Sequence, residues 1–134
     1  MTTQAVERQI PPNWPGSLPE WLVFENLTTR QRLVHGVDFT YQSPLQGGRM
    51  QRGGLIVDFM FSNPPNLAFS VMGTYYHYGL GSGIQARDLM QRAQLAGGGT
   101  TLIFLDEDDI YEDVNGVVSA GLRYQDRSLA ARSI

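Results

Sequence analysis

The stretch GGLIVDFMFSN, residues 53–63, is apolar except for one acid, Asp58. A carboxylate in such a run must be paired, solvated at a strand end, or coordinated to a metal, since burial of a bare charge costs several kcal/mol or shifts its pKa until it is neutral. Five further positions carry groups able to do chemistry. Glu20 follows Ser17 by three residues, the capping-box spacing, and falls at the end of an apolar helical stripe. His77 lies among Tyr75, Tyr76 and Tyr78, and its imidazole titrates near neutral pH. Asp88 stands beside Arg87 in a helix-forming segment, where a surface acid is the ordinary reading. Arg49 and Arg52 sit on a glycine-rich loop that can approach a phosphate backbone closely.

Each of these groups must be positioned by an element. Residues 1–16 are polar and rich in proline, and read as an extended arm whose one adhesive side chain is Trp14. The S-L-P-E pattern at Ser17 opens a helix expected to run to about His35-Gly36. Glu20, Val23, Phe24, Leu27, Gln31 and Val34 share one side of it, with Glu25 facing solvent. His35 then falls at the helix C-terminus as a dipole partner. Val37–Gln42 and Leu55–Phe61 predict a hairpin with a long basic loop, and Leu67–Gly73 a third strand. A helix is expected over Ile84–Ala96, a fourth strand in TTLIFLDEDD, and a last helix from Asp109 to about Tyr124. The acids Asp106–Asp109, Glu112 and Asp113 suit the start of that helix electrostatically rather than a metal site. The order of elements gives an α/β or α+β class, a mixed central sheet flanked by helices. Leu67–Leu105 is expected to form a right-handed parallel crossover.

The bulk numbers narrow the function classes. The chain has 134 residues, 42% hydrophobic and 17% charged, enough for one domain with a real core, here taken as residues 17–134. It has no cysteine, which excludes disulfides and thiolate metal sites. Its opening residues carry no signal-peptide pattern, and no apolar run approaches the ~20 residues of a membrane span, so no membrane partner is expected. All ten basic residues are arginine and the net charge is −3, so any DNA contact must be local. A cytoplasmic or intravirion setting follows as the expectation.

A helix with an early Glu, a hairpin whose second strand ends in V-D-F, a strand running into G-T-Y-Y-H, and a helix containing A-R-D-L resemble the PD-(D/E)XK nuclease superfamily. Within it the chain is most similar to very-short-patch repair endonucleases and to homing endonucleases named for an E-D-x-H-D motif. The resemblance spans about Ser17 to Leu105 and implies a restriction-endonuclease-like fold. It also implies metal-dependent DNA endonuclease activity on duplex or branched DNA. It carries the motif's acids to Glu20, Asp58 and Asp88, its histidine to His77 and its variable position to Met72. It further implies Mg²⁺, or Mn²⁺, on Asp58 and Glu20, with His77 moving a proton and Asp88 orienting it. Arg49 and Arg52 then contact DNA. The chain departs from the general superfamily pattern on the third strand, where Ser70 and Met72 replace the expected acids, and it contains no lysine.

That departure supports an alternative: a catalytically inactive protein of the same fold serving in the assembly of a phage particle. Residues 1–16 would then bind other structural proteins of the virion. An active enzyme of this length has no room for a separate DNA-reading domain and would need a partner or a homo-oligomer for specificity.

Overall fold

The computed structural model describes residues 10–41, 57–73 and 97–128. Within them the chain forms a four-stranded mixed sheet and two helices, an α+β arrangement: α1 (Leu18–Thr29), β1 (Phe39–Tyr41), β2 (Phe59–Phe61), β3 (Leu67–Met72), β4 (Thr101–Asp106) and α2 (Glu107–Leu122). The strands lie in sequence order, with β1–β2 and β2–β3 antiparallel and β3–β4 parallel. The parallel pairing agrees with the expected crossover. The helix predicted over Ile84–Ala96, which would connect the two strands, is outside the described residues. No described helix is long and apolar enough to cross a membrane.

α1 starts where the sequence predicts. Ser17 Oγ accepts from the Glu20 N–H at 3.4 Å, and Glu20 Oε1 accepts from the Ser17 N–H at 3.2 Å, completing the capping box. The helix ends about six residues earlier than expected. The Thr28 and Thr29 hydroxyls bond back to the carbonyls of Phe24 and Glu25, competing with the helical ladder. Arg32 then takes a left-handed φ of 59°. Gln31 and Val34 are therefore not part of a helical stripe, and Val34 is exposed. Nor is His35 a helix-end dipole partner: it bridges to Phe39, and its ring packs on Phe24 and Phe39. Asp38 secures this turn, accepting from the Val34 N–H (2.7 Å) and the Asn63 side chain (3.2 Å), while its carbonyl takes the Ser62 and Asn63 N–H groups.

The main core lies between the sheet and both helices. Val23 and Leu27 of α1 and Ile110, Val117 and Val118 of α2 cover Phe39, Phe59, Phe61, Leu67, Phe69, Ile103 and Leu105. Aromatic rings link three strands, with Phe61 and Phe69 centroids 4.7 Å apart and Phe39 touching both Phe59 and Phe61. The alternate side chains Ala68, Leu102 and Phe104, with Val57, form a second buried cluster on the opposite face. Burial on both faces explains why LIFL reads as an unbroken apolar run. α2 reaches the sheet at Gly121, where a Cβ would meet the Phe69 ring at 2.8 Å, so glycine sets the closeness of approach. Its first turn holds Glu107, Asp108 and Asp109, as the acidic run predicts. The helix is interrupted at Asp113 (φ −159°, ψ 74°), whose carboxylate accepts from the Gly116 N–H at 3.0 Å and so caps the second half.

Candidate functional site

Asp58 stands one residue before β2. Its N–H donates to the Phe69 carbonyl (3.0 Å), although the sheet partner of Phe69 is Phe59. Asp58 and Phe59 thus both address Phe69 of β3, a bulge-like step that turns the Asp58 side chain along the neighbouring strand. There Oδ2 accepts from the Val71 N–H at 2.7 Å, taking the place of a strand carbonyl. The acid therefore closes the end of the β2–β3 ladder, and it does so almost fully buried, 5% exposed.

The second acid arrives from the helix. Glu20, half-buried at the third position of α1, lies near enough to Asp58 for its charge to act on the buried acid. Ionisation of Asp58 is opposed there. The Asp58 pKa is raised well above the ordinary 3.8, first by burial and then by the Glu20 charge, against the opposing Val71 N–H. These surroundings favour a protonated Asp58, or a cation in the proton's place.

Glu20 has two further donors. Tyr41 of β1 gives its hydroxyl to Glu20 Oε1 at 2.5 Å, the same oxygen that receives the Ser17 N–H. Oε2 receives neither bond. Trp14 closes this corner: its indole N–H donates to the Ser17 carbonyl at 3.0 Å, and its ring lies 4.7 Å from Tyr41 and 5.2 Å from Trp21. Trp14, expected on an arm, packs against the core at this point. The aromatic parity of FTY carries the signal for Tyr41, since a tyrosine facing inward beside Phe39 must find a partner for its hydroxyl.

Of the residues expected to build a site, the described structure brings Glu20 and Asp58 together. His77, Asp88, Arg49 and Arg52 lie outside the described residues. On β3, Ser70 donates to the Met72 sulfur (3.7 Å), so the strand offers a thioether where the general superfamily pattern would have an acid. Met72 is the register partner of Asp106, which lies buried at the end of β4, one position beyond the pair of Val71. Asp106 occupies the N-cap position of α2 without making a side-chain cap bond.

The donor set suits a hard cation. Mg²⁺ takes one or two carboxylates and retains waters, and Asp58 with Glu20 supplies such a pair from two separate elements. No group of three or more His, Asp or Glu side chains placed to hold a metal occurs among the described residues, so a protein cage of the kind Ca²⁺ prefers is not formed by them. Comparison of the chain with protein-family models, with curated proteins and with solved structures gave no match.

Proposed function

We propose that the protein is a metal-dependent DNA endonuclease of the very-short-patch-repair-like type, hydrolysing phosphodiester bonds. One observation carries the reading: an acid from the first helix and the buried acid beside the hairpin's inner strand come together at one end of a mixed sheet. The order helix, hairpin, strand, parallel strand supports it, as does the chain path. His77 follows Met72 by five residues, a tether of at most about 18 Å.

In this reading Asp58 and Glu20 hold Mg²⁺ or Mn²⁺, which when bound neutralises phosphoryl oxygen charge and acidifies a water. His77 accepts the proton of the attacking water as its oxygen bonds to phosphorus, and the bond from phosphorus to the leaving sugar oxygen breaks. Asp88 orients the imidazole, and Arg49 and Arg52 grip flanking phosphates. DNA, duplex or branched, is the substrate. The net charge of −3 restricts the contact to such local groups.

A second reading has its own support. Ser17 and Tyr41 both engage Glu20, and burial drives Asp58 toward its neutral form, so the two acids also work as a clasp that fastens α1 to the sheet. That is the expected state of an inactive relative serving in phage particle assembly. Incubation of the purified protein with plasmid, flap and junction DNA and Mg²⁺ or Mn²⁺ separates the two. The nuclease reading requires cleavage that is lost in Asp58→Ala while the fold persists by circular dichroism. Absence of cleavage on the whole panel rules in favour of the clasp.

A further inference from the structure

We infer that Gly16, Ser17 and Tyr41 form a seat that fixes the Glu20 carboxylate, making Tyr41 a positioning residue for a divalent cation on the acid pair. The inference rests on the metal-dependent reading above. A glutamate has three side-chain torsions, and in a capping box it ordinarily curls toward its own N-cap N–H at the solvent edge. Here a second donor comes from a different element. The Tyr41 hydroxyl meets Oε1 at 2.5 Å, and the Ser17 N–H meets the same atom at 3.2 Å. With both bonds on Oε1, the plane of the carboxylate is set by α1 and the sheet together, and Oε2 is the oxygen that takes no part in the seat.

The seat is itself held. The Tyr41 ring is sandwiched near Trp14 (4.7 Å) and Phe59 (5.2 Å), so the hydroxyl cannot swing away without unpacking an aromatic cluster. The chain must also pass very close to the bond, and it does so at Gly16. A Cβ there would overlap both the Tyr41 hydroxyl and Glu20 Oε1, with the Trp14 indole nitrogen next nearest at 3.2 Å. Gly16 does not adopt a positive φ, so the requirement for glycine at this position is the space itself. Any side chain would push the carboxylate off its two donors. Capping of α1 alone needs Ser17 and Glu20 but neither Tyr41 nor Gly16. Those two residues act on where the carboxylate points.

Partners that orient a ligating carboxylate change metal affinity by about 10–100-fold when removed. Calorimetric titration of the full-length protein with Mn²⁺ tests this, comparing wild type with Tyr41→Phe, Gly16→Ala and Asp58→Asn. Tyr41→Phe keeps the ring and deletes only the hydroxyl. Its Mn²⁺ Kd is expected to rise about 10–100-fold, with the metal-free melting temperature little changed. Gly16→Ala is expected to move the Kd in the same direction, and serves alone should Tyr41→Phe not fold. Asp58→Asn is expected to abolish binding. A wild type that binds, an Asp58→Asn that does not, and Tyr41→Phe and Gly16→Ala at wild-type affinity would overturn the seat while leaving the metal reading in place. A wild type without Mn²⁺ affinity, or one matched by Asp58→Asn, overturns the metal reading and the seat with it.

Discussion

Replacing Asp58 by asparagine should make the metal-free protein more stable, and more so as the pH rises. Asparagine can keep the acceptor for the Val71 N–H and still reach Glu20, but it removes a charge that burial and Glu20 both oppose. The folded protein holds the Asp58 proton more tightly than the unfolded chain does. Between the unfolded value near 3.8 and the raised folded value, the native state therefore binds more protons, and stability falls with increasing pH. The contribution of the protonated Asp58 is fully present below the unfolded value and lost as pH climbs through the folded one. Two unit charges about 4 Å apart repel by about 4 kcal/mol at an effective dielectric constant of 20. Glu20 is only half-buried, and solvent screening reduces the expected relief to about 1–3 kcal/mol. A domain of 134 residues moves its Tm by roughly 3–4 °C per kcal/mol, giving a gain of about 3–12 °C above neutral pH and none near pH 4. Differential scanning fluorimetry across pH 4–9 in chelator measures it. Saturating Mg²⁺ should erase most or all of that advantage, raising wild type by about 2.7 kcal/mol at a hundredfold excess over Kd and leaving Asp58→Asn unmoved. A wild-type Tm that is flat from pH 4 to pH 9, or an Asp58→Asn protein destabilised equally at all pH values, would refute the view of Asp58 as a buried acid opposed by Glu20.

Two further substitutions test the framework that holds the acids. Gly121→Ala should cost about 1–3 kcal/mol by overpacking α2 against the Phe69 ring, 2.8 Å from the new methyl, measurable by urea denaturation. Asp38→Ala should cost about 1–3 kcal/mol, since it strips the Val34 N–H of its acceptor and releases the Asn63 side chain, and protease sensitivity should rise in the 34–38 turn.

Much of the architecture was written in local patterns. The S-L-P-E capping box located the start of α1 to the residue, because the cap is made by four consecutive positions that need nothing else. Alternation in LAFSVM, the short apolar run of TLIFL and the acidic opening of α2 likewise rest on neighbours in the chain. The end of α1 was not legible. Its stop comes from threonine hydroxyls turning back on the helix and from a left-handed arginine, whereas the hydrophobic spacing continues through Val34.

Residue type and periodicity alone place one acid in an apolar run and another in the cap of the opening helix. That they meet is a property of the folded chain. Their contact depends on a bulge-like step that turns Asp58 toward Val71, and on a tyrosine of β1 reaching Glu20 Oε1 through space left by a glycine. Those groups lie 13, 21 and 4 residues from the acids they serve. Separations of that kind leave no periodic trace, because they are fixed by how the helix docks on the sheet and not by any repeat along the chain.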